Sequence, residues 1–379
     1  MIGVWTFILM TAFTFGITKG YVDNAIRYQT SHLQIHHPQY VADKEVQYTI
    51  SKVDLPELSA MPEIAHVTRR VLVQGMIKSS RGARGITIRG VDPSAEESLM
   101  SISEKMIEGS FFDDNKKNQI VLGSELADKL KVKVRKKVVL QFIDKDGEIV
   151  AGSFRVAGLY KTGNRGLDNF DVFVRHGDLQ QLLKMENAYH EVIIQLSDPR
   201  SDLKAMEDKL SADFDHLMVE NYRAVAPDVE LYESQIYISI SVLLVIFMLA
   251  LIFGIINTML MAVLERTKEL GMLMAVGMNK ARVFWMIVSE TLLLGLIGAP
   301  LGLVAGYLSV KLLRRTGIDL SGFAEGAERF GIQTTIRPFI ENQIYVQLML
   351  AVFFTALLAS IYPAIRAIRL RPMEAIRKI

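Results

Sequence analysis

Four long apolar runs dominate the hydrophobic pattern of this chain, and polar residues separate them. Three of the runs contain no charged side chain, and the fourth contains one, Glu290, between Val283 and Val310. A run of about 20 apolar residues, at 1.5 Å per residue in a helix, matches the roughly 30 Å hydrocarbon core of a bilayer. The pattern therefore predicts four transmembrane helices, at residues 1–18, 236–264, 283–313 and 342–365.

The first run is the shortest of the four, and a signal peptide or a truncated span is the alternative to a complete but thin span. No basic residue precedes residues 1–18, and no small-x-small cleavage site follows them. A secretory signal peptide normally has both features. We therefore interpret this run as a transmembrane helix.

The long segment between the first two apolar runs, residues 19–235, has the mixed texture of a globular domain that is large enough to bury its own core. Strand-like pieces such as "RGITIRGV" and "EVIIQL" alternate with helix-like pieces such as "SELADKL". The stretch "FIDKDGEIV" predicts a β-hairpin around Asp146 and Gly147. These patterns indicate an α+β domain.

Composition supports a membrane protein and excludes several kinds of chemistry. Half of the residues are hydrophobic and only 22% are charged, which is too apolar for an ordinary soluble protein of 379 residues. The net charge of +2 does not favour a nucleic-acid partner. The chain contains no cysteine, which excludes disulfides, thiolate nucleophiles and Cys-ligated metals.

The distribution of Lys and Arg predicts which segments face the cytoplasm, because cytoplasmic loops are enriched in these residues. Two segments, 265–282 and the tail 366–379, are strongly basic, and spans three and four supply the even number of crossings that must separate them. Five basic residues between Lys311 and Glu341 count against this assignment. The cytoplasmic basic residues are Arg266, Lys268, Lys280 and Arg282, followed in the tail by Arg366, Arg369, Arg371, Arg377 and Lys378.

This orientation completes the predicted architecture. Residues 19–235 then lie outside the cytoplasm, since large domains are translocated regardless of their charge, and residues 314–341 form a short extracytoplasmic connection. The predicted fold class is a polytopic α-helical membrane protein with four transmembrane helices and a large α+β extracytoplasmic domain inserted between helices 1 and 2.

The cytoplasmic segment 265–282 has apolar residues at helical spacing, which a solvated loop does not need. Gly277 is placed to end a short helix, and Asn279 is placed to cap the next one. The alternative is an interfacial helix that lies on lipid headgroups. The residues of the apolar side are Leu270, Leu273 and Met274, and those of the polar side are Glu265, Lys268 and Glu269.

Several motifs in a fixed order resemble one family. The stretch "INTMLMAVLERTKELGMLMAVGMNKARVFWMIVSETLLLGLIGAPLGLVAGYL" resembles the core of FtsX-like permeases of ABC transporters, and "YPAIRAIRLRPMEAIR" resembles their C-terminal signature. "GVDPSAEE", "IVLGSELADKLKV" and "VAGLYKTGNRGLDNFDVFV" are similar to the extracytoplasmic domain of the same family. Within it, "KGYVDNAIRYQTSHLQIHHPQY" is most similar to the lipoprotein-releasing branch.

The resemblance implies that segment 265–282 is a coupling helix gripped by a separate ATPase subunit. The implied assembly contains a dimer of ABC ATPase chains, which bind ATP and Mg, and two permease chains, either identical or homologous. The permease itself is non-catalytic and binds no cofactor. The residues expected at the ATPase contact are Glu265, Arg266, Glu269, Gly271 and Gly277.

The chain departs from the family pattern at two places. Family members usually begin with a basic amphipathic segment before span one; because this sequence has none, we expect a truncated or misassigned N-terminus. In "KVKVRKKVVL", Arg135 occupies the position of a common turn glycine.

Two stretches of the sequence resemble catalytic or metal-binding motifs only in part. The stretch "GLYKTGNRG" has Asn164 where a phosphate-binding loop needs lysine, and "HEVII" has Ile194 where a zinc protease helix needs its second histidine. His32, His36 and His37 suggest a metal, but the alternation in "SHLQIHH" favours the polar face of a half-exposed strand.

Polar and small residues within the spans predict helix contacts. An acid inside a span is costly, so we expect Glu290 to pair with a basic residue such as Arg282 or to take part in coupling. Gly298, Gly302 and Gly306 lie four residues apart, which places them on one helix face and allows another helix to approach closely.

The branch resemblance implies a lipid or lipoprotein substrate, taken from the outer leaflet of the bacterial inner membrane. The alternatives are efflux of a macrolide or peptide, and a regulator that transports nothing and controls an outside hydrolase or signals the presence of a peptide. The resemblance implies a lipid cavity lined by spans one and two. The alternative is that the apolar side chains of these spans face bulk lipid or pack against each other. The apolar residues offered there are Phe13, Phe15, Ile240, Leu244 and Phe247.

Overall fold

The computed structural model describes residues 1–50, 53, 55–113, 116–198, 202–319 and 335–369. The tail residues Arg371, Arg377 and Lys378 lie outside the described residues. The described chain forms two compact units: a helical unit of residues 1–19, 233–319 and 335–369, and an α+β domain of residues 20–232.

Thirteen helices and twelve strands make up the described residues, together with one π-helical turn (Ile26–Thr30) and one 3₁₀ turn (Ile102–Lys105). The helices are α1 (Ile2–Ala25), α2 (Pro38–Asp43), α3 (Leu55–Ser59), α4 (Pro93–Met100), α5 (Ser124–Leu130), α6 (Arg165–Phe170), α7 (His176–Leu182), α8 (Leu203–Asp213), α9 (Tyr222–Val225), α10 (Pro227–Glu265), α11 (Thr267–Ala275), α12 (Lys280–Thr316) and α13 (Asn342–Ile368). The strands are β1 (Leu33–His36), β2 (Ile64–Ser79), β3 (Gly82–Val91), β4 (Met106–Gly109), β5 (Gln119–Gly123), β6 (Lys137–Ile143), β7 (Ile149–Tyr160), β8 (Asp171–Arg175), β9 (Glu191–Leu196), β10 (Met218–Asn221), β11 (Ile318–Asp319) and β12 (Thr335–Ile336).

Four described helices, α1 with the π-helical turn that follows it, α10, α12 and α13, are long and apolar enough to cross a membrane. They are longer than the apolar runs. In α10, which has 39 residues, Pro227 stands at the start and Asp228 and Glu230 lie in the first turn. Proline and acidic residues favour a helix N-terminus, so the helix begins in polar sequence before the apolar run.

The helical unit has two apolar clusters. One packs Val4, Ile8 and Phe15 of α1 against Ile240 of α10 and Leu348 of α13. The other joins the end of α10, α11, the start of α12 and the end of α13 through residues that are buried in the unit. Its fully buried members are Met259, Val263, Leu270, Val283, Ile287, Val288, Ala364 and Ala367.

The α+β domain is built on one ten-stranded mixed sheet. Its strand order is β10-β1-β9-β2-β3-β8-β5-β7-β4, and β6 pairs with β2 and β7. The β3–β8 and β5–β7 pairs are parallel, and the other pairs are antiparallel. The predicted hairpin is present, because Ile143 of β6 pairs with Ile149 of β7 across the Asp146–Gly147 turn.

Charged side chains lie inside this domain as well as apolar ones. Arg70 of β2 is 1% exposed and donates to Glu96 from Nε (3.1 Å) and Nη2 (2.5 Å). Its Nη1 also donates to Glu191 of β9 at 3.4 Å. A second buried pair joins Arg89 of β3 to Asp171 of β8, with Nε and Oδ1 2.8 Å apart. These pairs connect α4 and four strands in the interior.

The half-exposed strand predicted around the histidines is wrong. All four residues of β1 are buried, and His32 is buried as well. The reason is that other elements cover both faces of β1. Leu33 and Ile35 pack in a cluster with Met206 and Leu210 of α8, and Gln34 and His36 line a pocket with Val41 of α2. Burial also lowers the pKa of His32 and lowers that of His36 to about 4.

Removing the Arg70 side chain tests how much the buried ion pairs contribute to the stability of the domain. Arg70→Ala leaves Glu96 and Glu191 without their cation in a site that excludes water, so we expect a loss of about 3–5 kcal/mol in the free energy of unfolding. Lys209→Ala breaks only an exposed pair with Glu63 and should cost below about 1 kcal/mol. Denaturant unfolding of the full chain in detergent measures both; equal stabilities would contradict the assignment.

Arg135 adopts the conformation that favours the glycine common in the family. Its φ is +71°, and the backbone N–H of Lys136 donates to the carbonyl of Lys133 at 3.2 Å, which makes Arg135 the third residue of a β-turn. A left-handed φ costs a non-glycine residue about 1–2 kcal/mol.

Arg135→Gly should therefore raise the free energy of unfolding by about 0.5–1 kcal/mol, because the relief of strain exceeds the entropy cost of glycine. Lys136→Gly is the matched control: Lys136 does not have a positive φ, so this change should lower stability. Thermal unfolding of both variants measures the difference. A lower stability for Arg135→Gly would refute the strain.

Candidate coupling helix and membrane helices

The short helix α11 is attached to a membrane helix at each end. Thr267 donates from Oγ1 to the carbonyl of Leu264 at 2.7 Å, at the end of α10. At the other end, Gly277 has a φ of +104°, and the Met278 N–H donates to the Leu273 carbonyl at 3.0 Å, which terminates the helix. Asn279 then caps α12 by accepting from the Ala281 N–H at 3.1 Å. Hydrogen bonds thus order the connection from α10 to α12 at both ends of α11.

The two faces of α11 differ in burial. Leu270 and Gly271 are buried, and Met274 packs against the same cluster. Gly271, one of the residues expected at an ATPase contact, is thus buried within the helical unit. Between Glu265 and Gly277 the exposed residues are Glu265, Arg266, Lys268, Glu269, Met272, Leu273, Ala275, Val276 and Gly277, and Val276 is 85% exposed.

Glu290 of α12 has a different partner from the one expected. Arg266 donates from Nη1 to Glu290 Oε1 at 3.1 Å, so the pair joins the start of segment 265–282 to a membrane helix. The expected partner Arg282 is exposed and makes no ion pair with Glu290. Sequence separation does not reveal this contact, because Arg266 and Glu290 are brought together by the reversal of the chain at α11.

The predicted glycine face of α12 lies against α1. A methyl group added at Gly306 would come within 2.7 Å of Ile8 Cδ1, and one added at Gly302 would lie 2.9 Å from Val4 Cβ. Gly298 is less crowded, with 3.6 Å to the nearest atom. Close approach of α1 to α12 therefore depends on Gly302 and Gly306.

The residues expected to line a lipid cavity mostly fill a packed cluster. Phe15 and Ile240 are buried together, and Leu244 packs against the same cluster. Phe13 is half-buried. Phe247 stacks on Phe7, with ring centroids 5.0 Å apart.

A cavity of about 460 Å³ does lie among α1, α10, α12 and α13, and Phe247 is the one expected residue that lines it. Its other walls include residues that the sequence analysis missed, such as Gly254, Thr291 and Gly295. The signal in the sequence that could have identified these lining residues is the small size of their side chains within the apolar runs, since small side chains leave space between helices. Among the described residues, no group of three or more His, Asp or Glu side chains is placed to hold a metal ion.

Two family models together match almost the whole chain. The model of the MacB-like periplasmic core domain matches residues 1–212, and the model of the FtsX-like permease C-terminal region matches residues 241–372. The chain belongs to the FtsX-like ABC transporter permease family with a MacB-like periplasmic core. It is accordingly a multi-pass membrane permease, a non-catalytic type of subunit, with a periplasmic domain.

Relatives of this permease include proteins named for lipoprotein release and for macrolide export. It is 24% identical over 322 residues to the lipoprotein-releasing system transmembrane protein LolC of Neisseria meningitidis, covering 80% of this chain and 76% of the relative. It is 22% identical to LolE of Haemophilus influenzae, covering 84% and 79%. A shorter match, 31% identical over 127 residues, is to the macrolide export ATP-binding/permease protein MacB of Chlorobium luteolum, covering 33% of this chain and 16% of the relative.

Enlarging Gly306 tests the packing of α1 on α12. Gly306→Ala forces a methyl group against Ile8, and we expect a loss of about 1–3 kcal/mol from overpacking, partly offset by the better helix propensity of alanine. Gly254→Ala is the matched control, because no atom lies within 4 Å of its added methyl group. Thermal unfolding in detergent compares them; a Gly306→Ala protein as stable as the control would contradict the contact.

Proposed function

We propose that this chain is the permease subunit that couples ATP hydrolysis by a separate ATPase to mechanical movement of its periplasmic domain. The observation that carries the proposal is the exposed surface formed by α11 and the residue that follows it, where Met272 and Val276 are exposed together with charged Glu269. Adaptable methionine and small apolar side chains suit docking by another protein. An ATPase bound there would take hold of the chain between two membrane helices.

The proposed mechanical step follows from how α11 is attached. Backbone hydrogen bonds and the cap at Asn279 hold α11 at both ends, and Leu270 packs it onto the cluster that contains Val283 and Ile287. A displacement of a short, anchored helix passes to its neighbours, whereas a flexible loop would absorb it. The Arg266–Glu290 pair adds a direct connection from segment 265–282 to α12.

The assembly proposed from these features contains two ATPase chains and two permease chains in the bacterial inner membrane. Each permease offers one coupling helix, which serves one ATPase subunit. In this arrangement ATP and Mg bind to the ATPase, segment 265–282 and the basic tail face the cytoplasm, and the α+β domain moves in the periplasm.

For the substrate, we propose lipidated proteins extracted from the outer leaflet. Support comes from the matches to LolC and LolE, which cover more than three quarters of this chain and of those relatives. The cavity of about 460 Å³ among the four membrane helices offers an apolar surface of the kind that acyl chains contact. Macrolide export is the second candidate, and the match of 31% identity to MacB supports it.

Charge reversal on α11 tests the coupling. Glu269→Lys places a cation on the proposed docking surface, and we expect at least about tenfold slower ATP-dependent release of a labelled lipoprotein from proteoliposomes, since a loss of about 1.4 kcal/mol in docking is enough. The variant should still insert into the membrane, and less ATPase should copurify with it.

Lys204→Glu, a charge reversal at an exposed position of α8, is the matched control and should release lipoprotein normally. Wild-type release and copurification by Glu269→Lys would contradict the docking assignment. Absence of lipoprotein release by the wild type, together with ATP-dependent macrolide transport, would favour the second candidate.

A further inference from the structure

A polar pocket of about 200 Å³ lies within the α+β domain. Its floor is one face of the sheet, formed by β10, β1, β9, β2 and β3. Its walls come from the π-helical turn after α1, from α2 and its C-terminal Lys44, and from Ala224 and Val225 before α10. The pocket includes no residue of segment 265–282 and none of the residues that line the cavity of about 460 Å³.

Strand register explains why polar groups converge there. Gln34 and His36 are two residues apart on β1, so both side chains point to the same face. Glu220 on β10 is directly opposite Gln34, and Glu191 on β9 is directly opposite His36. Residues directly opposite each other share a face, so three neighbouring strands direct hydrogen-bonding groups into one space.

His36 has an unsatisfied hydrogen-bonding atom in this pocket. Its side chain is 4% exposed, and Nδ1 is buried with no hydrogen-bond partner in the part of the chain that the structure describes. The other ring nitrogen, Nε2, lies 3.9 Å from Glu220 Oε2. Burying a polar atom without a partner costs free energy, so a site of this kind favours a molecule that supplies one.

The charges around the pocket are only partly neutralised by the domain itself. Arg89 is paired with Asp171, and Glu191 is paired with Arg70. Among the described residues, Lys44 contacts no carboxylate and lies over the ring of Tyr40, 5.2 Å from its centroid. In the described part of the chain, Glu220 has neutral His36 beside it and no Lys or Arg side chain within ion-pair distance. Burial raises the pKa of Glu220, and the positive charge of Lys44, which lines the same pocket, partly offsets this rise.

We propose that this pocket binds a small zwitterion that carries one carboxylate and one ammonium group, either a free α-amino acid or a short peptide. Lys44 binds the carboxylate, Glu220 binds the ammonium group, and His36 Nδ1 hydrogen-bonds to the ligand. Lys44 and Glu220 line one pocket without a direct ion pair between them, so a molecule with both charges can pair with each of them, which a simple anion or cation cannot do.

The position of the pocket gives such binding a consequence. Gln29 and Thr30 belong to the π-helical turn that directly follows α1, and Val225 lies two residues before α10 begins. A ligand in the pocket contacts both segments and favours the arrangement that fits it. The site is thus suited to sensing a solute, and this inference does not rest on the proposed coupling or on its substrate.

Calorimetric titration of the full chain in detergent tests the proposal. The zwitterionic probes are L-alanine, L-glutamate and the dipeptide L-alanyl-L-alanine, and acetate and methylammonium each carry one of the two charges. We expect at least one zwitterion to bind with a Kd below about 1 mM, and both single-charge probes to bind at least about tenfold more weakly. Preference between the amino acids and the dipeptide identifies the source of the two charges.

Two variants locate the binding. Glu220→Gln and Lys44→Gln keep the approximate size of each side chain and remove its charge, and each should weaken binding of the zwitterion at least about tenfold. Lys209→Gln, on α8, is the control and should leave the Kd unchanged. Thermal unfolding establishes that each variant is folded.

Either of two results overturns the proposal. One is the absence of binding by all three zwitterions up to about 10 mM with folded wild-type protein, which leaves the pocket filled by water alone. The other is binding that Glu220→Gln and Lys44→Gln do not weaken. Both results are independent of ATPase docking and lipoprotein release.

Discussion

The absence of water in the hydrocarbon core is the constraint on which the helical unit depends. Each backbone N–H and C=O group that crosses the membrane must be paired within its own segment, so the four apolar runs form continuous helices. Side-chain polarity follows the same constraint. Thr291, buried in α12, donates to the Ile287 carbonyl one turn earlier. The acid Glu290 is matched by Arg266, which comes from the end of another helix.

The same constraint determines where the chain can present a surface to the ATPase that we propose as its partner. Irregular backbone is restricted to the ends of the membrane helices, and α11 occupies the connection between α10 and α12. Its amphipathic sequence serves two partners: Leu270 and Met274 face the helical unit, while Met272, Leu273 and Val276 remain exposed. A segment that is packed on one side and exposed on the other fits a coupling element that must stay attached to the membrane helices while another protein binds it.

The α+β domain is organised by a different cost, that of buried charge. Arg70 is directly beside Glu96 and Glu191, and Arg89 is beside Asp171, so these ions are paired where water is excluded. The pairing is incomplete around His36, Lys44 and Glu220, and this local imbalance distinguishes the polar pocket from the rest of the domain. In this domain, the buried Nδ1 atom of His36, which has no hydrogen-bond partner among the described residues, marks the candidate binding site.

The sequence by itself determined the features that depend on neighbouring residues. Apolar length identified the membrane helices, Gly277 marked the end of α11, Asn279 marked the start of α12, and the Asp146–Gly147 pair located a hairpin. Local hydrogen bonds and hydrophobic length control these features, so a short stretch of sequence contains the information.

Only the tertiary structure decided the contacts between residues far apart in the chain. It paired Glu290 with Arg266 instead of Arg282, and it packed Phe15 and Ile240 together where a cavity was expected. It also buried both faces of the strand that contains His36, because α8 packs against one face, and α2 and the π-helical turn form walls over the other. Alternation in a sequence reports that two faces differ in polarity; whether the polar face meets water or other charged side chains depends on the elements that cover it.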